Sequence, residues 1–394
     1  MSDPARLPLT RPGAHVERLT LSRFRCHGSV RLESGHPTVV LVGPNGAGKT
    51  NLLEALSFLA PGRGLRNAAL GDVGQWTPAR PPVPGDPLVW AVSARVRIGG
   101  ADEVSIGTGL EASGRPGARE KRVVQIDGQP AAGHAALGAL FPVLWLTPEM
   151  DPLFRDAAQE RRRFLDRFVA ALDPGHTGRA SAYARAQRER LRLLRSPQRP
   201  PGAWLDALED VMARHGVALV AARRDLLDRL GAAVSLSCGP FPGVRLDMDS
   251  DVDRWLASGP ALAAEDRLRD ALAASRETDA QRDITTAGPH RDDLLAWHGT
   301  TGAPAHHSST GEQKAMLVAL LLAQSRVLSA SRGVSPLLLL DDVAAHLDGL
   351  RRDALFEALR ALGSQVWVSG TDRELFGGVG PDALFLRLEN GAIL

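Results

Sequence analysis

The sequence predicts a discontinuous α/β fold of the phosphate-loop class, with mixed and antiparallel sheets, helices and an inserted helical lobe. Three observations lead there. The apolar run Pro37-Thr38-Val39-Val40-Leu41-Val42 enters Gly43-Pro44-Asn45-Gly46-Ala47-Gly48-Lys49-Thr50 and leaves it through a stretch of helical spacing, the strand, loop and helix order that a phosphate loop requires. A second apolar strand, Leu337-Leu338-Leu339-Leu340, ends in Asp341-Asp342 near the other end of the chain. Between the two, apolar residues recur at three- and four-residue intervals, the period of packed helices.

Taken in order, Val16 to Leu32 alternates as strands do, and the run ending at Val42 reads as a buried strand. Asn51 to Leu59 has helical spacing and stops before Pro61-Gly62. Leu88 to Ile98, Glu103 to Leu110 and Arg122 to Ile126 read as short strands of an antiparallel sheet, with turn chemistry at Gly99-Gly100 and Asp127-Gly128. Pro78 to Pro87 is a proline-rich loop. From Asp156 to Arg195 and from Ala203 to Leu230 the pattern is helical, broken by Pro197, Pro200 and Pro201. Leu205, Leu208, Met212, Leu219 and Leu226 then line one side of a helix packed on its neighbour, in a lobe too short for a long coiled-coil arm. Strand patterns return at Pro336 to Leu340, Gln365 to Val368 and Ala383 to Leu388, before the turn Glu389-Asn390-Gly391. The expected domains are 1–153 and 288–394, the two parts of one α/β domain, with 154–287 as the inserted lobe.

At 394 residues the chain has room for two domains or one with a large insertion. Its 44% hydrophobic and 23% charged residues suit a globular protein, and no uninterrupted apolar run approaches the roughly 18 to 20 residues that cross a bilayer. The N-terminus lacks the apolar core of a signal peptide, and Cys26 and Cys238 are the only cysteines, so a reducing cytoplasm and no membrane partner are expected. A net charge of +2 gives no global argument for nucleic acid, so any such surface must be local. Lysine occurs only at 49, 121 and 314, and two of the three fall in motif-like segments.

In the loop from Gly43 to Thr50 the glycines let backbone N–H groups converge on phosphate oxygens at the start of a helix. Lys49 is placed to bind the β and γ phosphates of ATP, Thr50 to ligate magnesium, and Asn51 follows them. Asp341 ends an apolar strand, which is how a carboxylate is delivered beside a phosphate-bound metal; Asp342 is then placed to orient and deprotonate water. Lys49, Asp341 and Asp342 are the catalytic candidates. Ser309-Thr310-Gly311-Glu312 precedes a helix with Met316, Leu317, Leu320 and Leu321 on its apolar face, and Ser309 with Glu312 makes a capping box.

Between Phe154 and Arg199 twelve arginines stand against five acids, a local excess that phosphate neutralisation would use. Arg161, Arg162, Arg163, Arg185 and Arg188 are the candidate DNA contacts, to duplex backbone rather than to stacked bases. Arg63 and Arg66 are open to a nucleotide or DNA role or to a plain surface loop. His290 reads as a turn residue, and His306 and His307 as loop residues, because no matching ligand spacing surrounds them.

The placing of Ser309 32 residues before Asp341 resembles the signature and acidic-strand order of ABC-type ATPases, and Ala344-Ala345-His346-Leu347-Asp348 stands where these carry a dimer-contacting loop. Glu312 and Ala345 depart from residues common there. At the position of their switch histidine this chain has Gly370 or Thr371, which argues against a transporter ATPase. The pieces together resemble the RecF family of bacterial recombination mediators, ABC-type ATPases grouped with Rad50 and SMC heads. That resemblance rests on Gly43 to Asn51, Gly62-Arg63-Gly64-Leu65-Arg66, Thr147-Pro148-Glu149, Glu160-Arg161-Arg162-Arg163-Phe164-Leu165-Asp166, Gly288-Pro289-His290-Arg291-Asp292-Asp293-Leu294, Ser309 to Lys314 and Leu340 to Val343.

The resemblance implies an ABC-type head with ATP and Mg2+ as cofactors, and Ser309 and Gly311 reaching the nucleotide of a second copy in an ATP-dependent homodimer. It implies a weak, DNA-stimulated ATPase that binds duplex or gapped DNA near single-strand junctions. It also implies work with RecR and RecO in loading RecA and inducing the SOS response. A transporter subunit, an ATPase-coupled nuclease and a small-molecule P-loop kinase are the rivals. The kinase has no use for a signature motif, and the nuclease would need a further metal-ligand cluster.

Overall fold

The computed structural model describes residues 13–75, 89–100, 102–111, 121–196, 201–235 and 239–394. The loop expected over Pro78 to Pro87 lies outside them, as do Pro197 and Pro200. Two compact units divide the described residues. The first takes the chain up to Asp151, a short segment ending at Pro242, and Ser309–Leu394; the second takes Pro152–Ser235 and Gly243–Ser308.

The first unit holds two six-stranded sheets. One is antiparallel, built from β1 (Ala14–Phe24), β2 (His27–Glu33), β4 (Ala91–Ile98), β5 (Asp102–Glu111), β6 (Lys121–Ile126) and β7 (Gln129–Pro130) in the order β2-β1-β4-β5-β6-β7. Its inward residues alternate, as Ala14 with Val16 and Leu19 with Leu21 do, and the alternation slips between Val16 and Arg18, where the register with β4 shifts. The expected turns form at Gly99-Gly100 and Asp127-Gly128, both dipeptides at positive φ.

The other sheet has the order β14-β13-β3-β12-β11-β8, from β3 (Thr38–Val42), β8 (Val143–Leu146), β11 (Leu337–Leu340), β12 (Val366–Gly370), β13 (Ala383–Glu389) and β14 (Ala392–Ile393). Its pairs are parallel except the closing β13-β14 hairpin. Every residue of β8, β11 and β12 is buried, which is why these strands read as continuous apolar runs. Helix α1 (Lys49–Ser57) sends Leu52, Leu53 and Leu56 into the shared core, where Phe24, Phe58 and Trp90 meet at ring centroid distances of 4.9 to 5.8 Å. The fully buried Gln365 amide donates to the carbonyls of Val16, Ser34 and His36 and accepts from the Val16 N–H, tying β12 to the antiparallel sheet. Helix α9 (Thr310–Arg332) is long and apolar enough to cross a bilayer, but 78% of its most apolar window is buried in this unit as a core helix. The short α2 (Leu137–Leu140) and α10 (Gly349–Ala361) complete the unit.

In the second unit the first expected helical stretch divides at Asp173-Pro174-Gly175 into α3 (Ala158–Leu172) and α4 (His176–Leu194), the second is α5 (Gly202–Ser235), and Leu205, Met212, Leu219 and Leu226 are buried on α5. Three further helices, α6 (Asp251–Ser258), α7 (Ala261–Ala274) and α8 (Arg276–Arg282), and the antiparallel pair β9 (Val244–Asp249) with β10 (Asp293–His298) were not read from the sequence. Because β10 pairs with β9, the second unit runs on to Ser308, and the expected boundary at 287/288 falls inside it.

Two segments that stood out in the sequence bind each other. Arg161 grips Asp293 through two bonds of 2.7 Å, and Arg162 donates to the Asp292 carbonyl. Arg223, 4% exposed, bridges Asp166 and Asp292 at 2.8 Å each. His290 accepts from the Tyr183 hydroxyl and donates through Nε2 to the Thr285 carbonyl, both at 2.8 Å, which makes it the turn residue expected. Gly288 sits at φ 121, where a Cβ would come within 2.3 Å of the Tyr183 hydroxyl oxygen. Arg223→Ala should therefore destabilise the lobe by about 3 kcal/mol, since it strands the buried Asp292 carboxylate and takes one partner from the part-exposed Asp166; a denaturant titration following helical signal checks this.

Candidate nucleotide site

The parallel sheet brings three strand ends side by side, in the order β3, β12, β11. Ligands of open α/β sheets bind at such carboxyl ends. From β3 comes the loop Gly43 to Thr50, with Pro44, Asn45 and Gly46 exposed at its tip. A Cβ on Gly43 would lie 2.3 Å from the Leu388 carbonyl oxygen, and Gly48, at φ 103, would meet Cys26 Sγ at 2.8 Å. Both positions therefore demand glycine. Helix α1 starts at Lys49 with no side-chain cap on Gly48, which leaves its first N–H groups for an anion. The Lys49 ammonium, 5% exposed, folds back on the carbonyls of Gly43 and Pro44 at 2.7 and 3.0 Å. Asn51 turns sideways, donating to Cys26 Sγ and accepting from Arg66, whose guanidinium shares the fully buried Glu54 with Arg25.

From β11 come Asp341 and Asp342. Thr50 Oγ1 donates to both oxygens of Asp341, at 3.0 and 2.9 Å, across 291 residues of sequence. Burial raises the Asp341 carboxyl above the ordinary aspartate range against hydrogen bonds from Ser369 and Thr50, and the neighbouring Asp342 charge adds to the rise. From β12 comes Ser369, fully buried, whose hydroxyl donates to Asp341 at 2.6 Å. A hydroxyl and a buried carboxylate held at high proton affinity suit a hard divalent cation, and magnesium takes few protein oxygens where phosphates complete its shell. The residues present fit Mg2+, with Thr50 and Asp341 as the ones to hold it.

Ser309 caps α9 and forms the predicted capping box: its hydroxyl accepts from the Glu312 N–H at 3.3 Å, and the Glu312 carboxylate accepts from the Ser309 N–H at 2.8 Å. Ser309 is exposed, and a Cβ on Gly311 would meet no atom within 4 Å. No hydrogen bond among the described residues joins either to Gly43–Thr50. Lys314, one turn on, is buried and donates to the Asp342 carbonyl at 3.3 Å, with Asp151 3.7 Å away.

The arginine excess shrinks on inspection. Besides Arg161 and Arg162, Arg163 pairs with Glu160, and Arg190 is buried between Glu209 and Asp279. Arg161, Arg162 and Arg190 are thus engaged within the second unit, while Arg163 is exposed beside Glu160. Arg185 and Arg188 are exposed on α4 with no hydrogen-bond or ion-pair partner among the described residues.

A family model described as RecF/RecN/SMC N terminal domain matches residues 15–385. The DNA replication and repair protein RecF of Mesorhizobium japonicum is 42% identical over 382 residues, covering 96% of this chain and 97% of its own length. That of Rhizobium meliloti is 44% identical over 380 residues, covering 96% and 98%. The chain belongs to the RecF family. The solved structure of the recombination mediator protein RecF-ATP in the RecFOR pathway matches it at a TM-score of 0.82 and 20% identity over 99% of both chains. The Smc head domain of Pyrococcus furiosus bound to the C-terminal domain of ScpA matches at 0.53 and 15%, over 96% of this chain and 95% of that one. The fold is that of an ABC-type ATPase head, and RecF membership sets aside the transporter-subunit and coupled-nuclease readings. In this RecF-family chain sequence reasoning missed Ser369, whose only signal was its place one residue before the expected switch histidine.

Proposed function

We propose that this RecF-family protein is a slow, DNA-stimulated ATPase in which ATP draws two copies together on DNA and hydrolysis lets them part. The observation that supports it most is the joining of Thr50, Asp341 and Ser369 beside the Lys49 loop. Lys49 would leave the loop carbonyls for the β and γ phosphates, and the α1 N-terminus would hold their charge. Bound Mg2+ would neutralise the phosphate oxygens. Asp342 would take the proton of the attacking water. Sedimentation with and without ATP and duplex DNA tests the reading: ATP-dependent dimers support it, and a monomer under every condition sinks it.

Ser309 and Gly311 fit a partner's nucleotide better than their own. The unit's own packing asks for no glycine at 311, since a Cβ there meets open space, and the serine is exposed. Ser309→Arg should bind ATP as the parent does and fail to dimerise; loss of nucleotide binding by that monomer would instead assign Ser309 to its own subunit's site.

For DNA, Arg185 and Arg188 are the candidates the second unit leaves available. Neutralising both should lower the slope of log affinity against log salt by about two. Neutralising Arg163 with its Glu160 partner in place should change it less. An unchanged slope in the double variant moves the DNA surface elsewhere. The relatives' name, DNA replication and repair protein RecF, and the RecFOR pathway of the matched structure support a role in DNA repair with RecR and RecO; action at gapped DNA, RecA loading and the SOS response in the cytoplasm complete the proposal on the family resemblance.

A further inference from the structure

We infer that Ser369 is a positioning residue for hydrolysis: its hydroxyl fixes the backbone turn at Asp342 and leaves that carboxylate free to receive the proton of water. The inference rests on the ATPase reading above. Ser369 is fully buried at the end of β12, and its oxygen accepts from the Asp342 N–H at 3.0 Å while its proton goes to Asp341 Oδ1 at 2.6 Å. An N–H can only donate, so the hydroxyl proton has one place to go and the hydroxyl does not rotate. Asp342 stands at φ 47 and ψ 28, a left-handed conformation that aspartate visits more readily than most residues with a Cβ. Its surroundings fix it there from both sides: Ser369 holds the N–H, and Lys314 donates to the carbonyl at 3.3 Å. The side chain is treated differently, for its Oδ1 is buried with no hydrogen-bond partner among the described residues. The backbone is clamped and the carboxylate is left open.

The same strand end explains why no histidine does this work. A Cβ at Gly370 would lie 2.6 Å from Phe376 Cζ, so a larger residue there displaces that ring, and Thr371 is exposed. Ser369 is thus the side chain through which β12 touches both acids.

The test uses the whole 394-residue chain with ATP and Mg2+, following phosphate release and nucleotide binding by fluorescence. Ser369→Ala should lower kcat by about ten- to a hundredfold, as loss of a supporting hydrogen bond around such a site does, with KM and nucleotide affinity unchanged. Ser369→Thr, which keeps the hydroxyl, should restore turnover. Should Ser369→Ala not fold, Ser369→Cys, with a weaker donor and acceptor, is read in its place and should show the same signs. Unchanged turnover in a variant that binds nucleotide overturns the inference alone. Failure of the unaltered chain to bind or hydrolyse ATP overturns the ATPase reading beneath it.

Discussion

Lys49→Arg should lose ATP hydrolysis, with kcat lower by about two to three orders of magnitude. The ammonium occupies a cage of two loop carbonyls at 2.7 and 3.0 Å and is 5% exposed. A compact point charge fits there and can swing from the carbonyls to phosphate, whereas a planar guanidinium is larger and has its donors fixed in a fork. The loop around it has no slack to offer, since Gly43 and Gly48 already abut Leu388 and Cys26. Phosphate release and fluorescent-nucleotide binding check this; turnover equal to that of the parent would remove Lys49 from the site. ATP-driven dimerisation should fall with it, because the partner's Ser309 would find no ordered γ phosphate.

Asp342→Asn should do the opposite to the assembly. Turnover falls by about 10² to 10⁴, the usual contribution of a positioned general base, while ATP stays bound and the dimer accumulates. The amide side chain is nearly isosteric, and asparagine tolerates the left-handed conformation at φ 47. The bonds from Ser369 and Lys314 reach the backbone of residue 342, so the turn survives the substitution. Sedimentation at saturating ATP decides: a variant that remains monomeric contradicts the shared-site reading. Together the two substitutions separate loss of the phosphate grip from loss of the base.

The phosphate loop was legible because glycine, lysine and threonine at fixed spacing are dictated by local backbone geometry, and the flanking strand and helix carry their own periodicities. The acidic strand end was legible for the same reason, as four buried leucines stop at two aspartates. Ser369 was not: a serine closing an apolar strand is chemically unremarked until β12 is seen to lie between β3 and β11. The β9-β10 pair escaped notice because β10 carries no alternation and its partner, the short alternating run Val244–Asp249, lies 43 intervening residues away. The pairing of the arginines was illegible for a related reason. Sequence records charge, and the partners that cancel it, such as Asp293 for Arg161 and Asp279 for Arg190, lie 132 and 89 residues away.

By itself, then, the sequence determined the class of fold, the nucleotide loop, the acids and the family, because each is written in short-range patterns set by backbone conformation and burial. The tertiary structure alone decided which hydroxyl orders the two acids, which arginines remain free on α4, and where the lobe ends. Those depend on strand order and on long-range pairing of charges, and both arise only when distant segments share one core.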